Sequence, residues 1–141
     1  MKQTEELKLR TKKFASRVIK LFQALPQTEE ARTLGKQVLR SSTSVAANYR
    51  AVCRSRSKAE FIAKLGVVVE EMDETAFWLE LLTESGIIKP ARLTDLRREA
   101  HELLAIFVAS QLTAKGVSSN PSIRKSNNPK MTVPTISRSA S

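Results

Sequence analysis

The chain has 141 residues, 41% of them hydrophobic and 27% charged, the balance of a globular protein with one real core. One cysteine excludes an intramolecular disulfide framework and a cysteine-rich zinc site, and no apolar run approaches the ~20 residues of a membrane span. A net charge of +10 favours polyanionic partners, and the charged opening MKQTEELKLRTKKF lacks the apolar stretch of a secretory signal, so the expected location is the cytoplasm.

The elements read as helices in chain order. Leu7, Thr11, Phe14, Val18, Leu21 and Leu25 recur in steps of three and four until Pro26 breaks the pattern. A second helix opens at Thr28, a good N-cap with Glu29 and Glu30 behind it, and turns inward along Leu34, Val38, Ser41, Val45, Tyr49 and Val52. Ser57 with Glu60 forms a capping box for a third helix, whose stripe is Phe61, Leu65, Val68, Met72, Thr75, Leu79 and Leu82, with Gly86 as its left-handed cap. Pro90 starts a fourth along Leu93, Leu96, Ala100, Leu103 and Phe107, which Gly116 ends. No segment alternates with period two. Short connections between long helices force antiparallel neighbours, so the expected fold is all-α, an up-down four-helix bundle over residues 1–116. From Val117 to Ser141 the chain is polar, proline-bearing and aperiodic, and reads as a disordered basic tail.

Apolar residues exceed one seam. Ile62, Val69, Ala76, Trp78 and Leu81 flank the third stripe, and Leu104 and Val108 the fourth. They form either a wide core face in a monomer or a second buried surface joining subunits; we take the second as the expectation.

Charge is segregated. Residues 1–25 carry seven Lys/Arg against two Glu and residues 26–56 six against two, whereas residues 57–86 carry two against seven Asp/Glu. Lys36, Arg40, Ala47, Arg50 and Arg54 fall on one side of the second helix, and its small residues Ser41, Ser42, Ser44, Ala46 and Ala47 let a neighbouring helix come close. If the acidic third helix neutralises the basic second, the first helix keeps its charge. Lys8, Arg10, Lys12, Lys13, Arg17 and Lys20 are then the leading nucleic-acid-binding residues, with Arg40, Arg50 and Arg54 behind them.

Catalytic chemistry is scarce. His101 is the only histidine, and it shares a helical face with Arg97, too closely spaced for the Arg–His arrangement of helical ribonucleases. Glu70, Glu71, Asp73 and Glu74 lack the Glu-x-x-His partners of a di-iron bundle and read as a salt-bridging surface. Cys53 reads as a small buried hydrophobe. The expectation is no enzyme, no metal and no cofactor.

The run GKQVLRSSTSVAANYRAVCRSRSKAEFIAKLGVVVEEMDETAFWLELL, Gly35–Leu82, resembles the four-helix-bundle proteins encoded in intervening sequences of bacterial 23S ribosomal RNA genes. The RSS-x-SVAANYR run, the RSRS-x-AEF junction and the ET-x-x-WL segment carry the likeness, which extends in pattern over about residues 4–115. It implies a bundle that assembles as a ring-like homopentamer, akin to a basic accessory protein of diversity-generating retroelements that works with a reverse transcriptase and binds nucleic acid. It brings no catalytic residue. Among matching positions, Tyr49, Arg56, Glu60, Phe61, Glu74 and Trp78 are expected to organise packing and the subunit interface. Two functions follow as expectations: binding of structured RNA through basic patches, or a protein-interaction scaffold for a partner such as a reverse transcriptase.

Overall fold

Breakers and caps set the element boundaries. The computed structural model describes residues 2–116, so the expectation for residues 117–141 lies outside the described residues. Four helices occupy nearly all of the described chain: α1 (Lys2–Ala24), α2 (Glu29–Val52), α3 (Lys58–Glu84) and α4 (Pro90–Ala114). α1 stops before Pro26, which has no amide hydrogen to continue the ladder. Thr28 caps α2, its Oγ1 accepting from Ala31 N at 3.2 Å. Ser57 caps α3 in the same way, accepting from Glu60 N at 3.0 Å. The Glu60 carboxylate completes the junction by accepting from Arg56 N at 2.7 Å, one residue earlier than the reciprocal bond of a standard capping box. Gly86 and Gly116 take φ of +77° and +81° beyond the ends of α3 and α4, a region that costs any residue with a Cβ.

Connections of four or five residues turn each helix back along its predecessor, giving the antiparallel up-down order. α2 packs on α1 and most extensively on α3, α3 packs on α4, and α4 closes sparingly against α1. The expected stripes fill the interior. Phe14, Val18, Val38, Val45, Leu65, Val68, Met72, Leu79, Leu82, Leu103 and Phe107 are almost fully withdrawn from water. Tyr49 and Phe107 meet in a tilted ring pair with centroids 5.2 Å apart.

The small residues of α2 do what their size allows. Ser41 and Ser42 are completely buried, and Ser41 Oγ lies 2.7 Å from Thr75 Oγ1 of α3, a polar tie inside the seam. Gly35 marks the tight point with α1: a Cβ there would fall 2.5 Å from Leu25 Cδ1 and 3.0 Å from Phe22 Cδ1. The extra apolar stripe divides. Ala76 is buried and Val69, Trp78 and Leu104 pack partly against the core, as a wide core face requires. The apolar side chains left outside on α3 are Val67 and Phe77, 42% and 49% exposed, with Val108 on α4 and Leu9 and Ile19 on α1. No described helix is long and apolar enough to cross a membrane.

Candidate nucleic-acid interface

Four cations of α1 stay open. The apolar face of this helix is anchored by Leu7, Phe14, Ala15 and Val18, which turns Lys12, Lys13, Arg17 and Lys20 outward. All four are exposed, none has a carboxylate partner among the described residues, and they span about 12 Å of helix at ~1.5 Å per residue. Arg17 and Lys20 continue onto α4, where they and Arg92 border a depression of about 330 Å³.

The other expected cations are met inside the molecule. Arg10 lies on the flank of α1 that faces α4 and holds Glu99 with both ends of its fork, Nε to Oε2 at 3.0 Å and Nη2 to Oε1 at 2.8 Å, while Nη2 also reaches Glu102 Oε1 at 2.8 Å. The Glu99 hydrogen bond keeps the guanidinium protonated even more firmly than usual, against the opposing effect of its partial burial. Arg10 therefore latches the sparse α1–α4 seam rather than belonging to the open patch. Lys8 is half-buried and pairs with Glu5 at 3.0 Å. Arg40 reaches across to α3, bonding Glu71 Oε1 at 3.2 Å and also Glu74 Oε1. Glu74 in turn accepts from Trp78 Nε1 at 3.3 Å, and Trp78 meets the ring of Phe77 edge-on at 5.0 Å. One carboxylate thus joins the basic face of α2 to the aromatic pair of α3.

Arg50, in the last turn of α2, and Arg54, two residues beyond its end, are exposed and have no ion pair among the described residues. Arg56 is exposed and makes a 3.8 Å contact with Glu60, which also draws Lys64. Beside Arg50 and Arg54 a cleft of about 660 Å³ opens between the start of α1 and the α2–α3 junction, with Tyr49 and Phe61 on its walls. Burial pushes the Tyr49 phenol up to about 12 and raises the Cys53 thiol, so both are neutral near pH 7. His101 is exposed on α4, and Arg97 turns instead to Thr83 Oγ1 at 3.5 Å.

The geometry brings Lys12, Lys13, Arg17 and Lys20 together, separates Arg50 and Arg54 from them, and withdraws Arg10 and Arg40 from both groups. Arg92 is the residue that sequence reasoning missed. It stands two positions after Pro90, and nothing in that local pattern places it beside Lys20.

These features define a class: a small antiparallel four-helix bundle with internal ion-pair latches and open cationic outer faces. The chain belongs to the family of 23S rRNA-intervening sequence proteins, whose family model matches residues 5–109. The resemblance carried by Gly35–Leu82 is thereby borne out. The chain is also similar to a protein of unknown function from the S23 ribosomal protein family of Bacteroides thetaiotaomicron. That crystal structure superposes with a TM-score of 0.71 at 30% identity, over 77% of this chain and 96% of that one. No curated protein matches the chain.

Proposed function

We propose that this is a non-enzymatic homo-oligomer that binds structured RNA, related to ribosomal RNA, through phosphate contacts and without a cofactor. The observation that carries this reading is the unpaired cationic face of α1, Lys12, Lys13, Arg17 and Lys20. Ammonium and guanidinium groups held at helical spacing match a phosphate backbone, and each contact displaces condensed counterions. Assembly into a ring, the pentamer implied by the family resemblance, would repeat the face and multiply its affinity by avidity. Tyr49 is buried and Trp78 is turned to Glu74, so few aromatic rings are free to stack on bases. The reading is therefore recognition of backbone and shape.

The test is RNA binding by the full-length chain as a function of salt. Lys12→Glu/Lys13→Glu should weaken binding to a structured rRNA-derived fragment far more than Arg54→Glu does. It should also lower the log–log salt slope by roughly 1.4 to 1.8, for two phosphates lost at roughly 0.7 to 0.9 each. Equal loss in the two variants, or a slope near zero in the wild type, sinks the reading. A second reading, a scaffold for a protein partner such as a reverse transcriptase, is favoured by the outward Phe77 and Val67 on α3. It expects RNA binding that vanishes at modest salt and a stoichiometric protein complex that Phe77→Asp disrupts.

A further inference from the structure

The cleft at the α2–α3 junction has the composition of a ligand site rather than of a packing defect. Its volume of about 660 Å³ falls in the range that encloses small-molecule ligands. Lys8, Arg50 and Arg54 line it against a single carboxylate, Glu5, which already lies 3.0 Å from the Lys8 ammonium. Two net positive charges remain. Arg50 stands in the last turn of α2 and Arg54 in the turn that follows it, so two like charges line the same cleft. Arg10, Arg40, Arg56 and Arg98 have carboxylates near them, while these two, like Arg17 and Arg92 elsewhere, have none among the described residues.

A second feature is independent of the charge. Ser55 Oγ, on the wall of the same cleft, is buried and has no hydrogen-bond partner. Buried hydroxyls are almost always satisfied, and an orphan beside two unpaired guanidinium groups marks the place of a missing acceptor. Binding there requires the hydroxyl to turn toward the cleft about the Ser55 Cα–Cβ bond. Phe61 and Val52 add apolar lining to the cleft. The Tyr49 and Cys53 side chains stay protonated and so add no anionic charge to repel a ligand.

We propose that this cleft binds a phosphomonoester, with the phosphate on Arg50, Arg54 and the Ser55 hydroxyl and the nucleoside against Phe61. A monoester carries about −1.5 to −2 charges on three terminal oxygens, which matches the net charge and the number of donors. A carboxylate has too few oxygens and an internal phosphodiester too little charge. The same chemistry is presented by a free mononucleotide and by the phosphorylated end of an RNA strand. The site stands apart from the α1 face, so either can fail without the other.

Calorimetric titration of the full-length protein with AMP, adenosine and inorganic phosphate tests the assignment. AMP should bind at least about tenfold more tightly than adenosine, and Arg50→Gln/Arg54→Gln should weaken AMP by about tenfold or more. Ser55→Ala, a smaller change in a residue outside the core, should weaken AMP by roughly threefold. Lys12→Glu/Lys13→Glu should leave AMP affinity unchanged, which separates this site from the RNA face. A short RNA bound more tightly with a 5′-phosphate than with a 5′-hydroxyl identifies the strand end as the source; AMP binding without that preference identifies the free nucleotide. AMP binding no better than adenosine, or unaffected in both the arginine and the serine variants, overturns the proposal.

Discussion

Arg10 shows how one side chain changes a surface. Its guanidinium forks onto Glu99 and Glu102 across 89 and 92 residues of chain, at the seam where the helices touch least. Exposed pairs are worth little, but a bidentate bond to the half-buried Glu99 is worth more, and its removal leaves a carboxylate partly desolvated. Arg10→Met should cost about 1–2 kcal/mol in urea unfolding, and much less when combined with Glu99→Met, which removes the orphaned charge. Additive losses in the double variant would show that the two residues do not act as a pair. Tyr49 supplies a pH-dependent case. Burial lifts its phenol from the ordinary 10.0 to about 12, so the folded state holds the proton more tightly than the unfolded state. The stabilisation is complete below pH 10 and is lost as pH rises from 10 to 12, on the order of 3 kcal/mol at about 1.4 kcal/mol per pH unit. Tyr49→Phe should flatten that part of the stability profile relative to wild type. An identical alkaline decline in both proteins would assign it to other groups.

At the scale of elements, the sequence announced each boundary chemically. Pro26, Thr28, Ser57, Gly86 and Pro90 act locally, within one turn of their own position, and local rules read such residues correctly. The α1–α2 contact was less legible. Gly35 resembles a helix-weakening residue until Leu25 and Phe22 are seen folded back over it. Gly35→Ala brings a propensity gain of about 1 kcal/mol, whereas forcing a methyl group into a packed site costs about 1–3 kcal/mol. Leu25 is nearly buried, so it has little room to yield, and the cost should win by about 1 kcal/mol. In a Leu25→Ala background the same substitution should turn neutral or stabilising. A stabilising effect in the wild-type background would mean that Leu25 repacks freely. The flanking stripe of α3 was only partly legible for a related reason: a helix with apolar residues on several sides gives its wheel no clear inside, and only the neighbours decide that Ala76 goes in and Phe77 out.

Across the whole molecule, the pairing of basic α2 with acidic α3 was legible from net charge and is realised by Arg40 on Glu71 and Glu74. Which cations remain free was not legible, because it depends on contacts such as Arg10–Glu99 that no local pattern encodes. The outcome leaves two kinds of outer surface: the cations of α1 with Arg92, and the apolar side of α3 around Val67 and Phe77. The two suit different partners. An apolar patch with a T-shaped Phe77–Trp78 pair is better covered by protein than by phosphate, and the proposed oligomer would place it between copies while leaving α1 facing outward. Because Phe77 is half exposed, Phe77→Asp should disturb the fold of a single chain little, within about 0.5 kcal/mol. Its effect should fall on association: light scattering should show wild-type protein as an oligomer and the variant as a monomer, with far-UV circular dichroism unchanged. Gln23→Asp, at an exposed polar position of α1, serves as the control for a merely added charge. If the oligomer survives Phe77→Asp, this face is left to a different protein partner. If it falls apart and RNA affinity falls with it while the α1 cations are untouched, the binding strength came from repetition of a modest patch rather than from any single one.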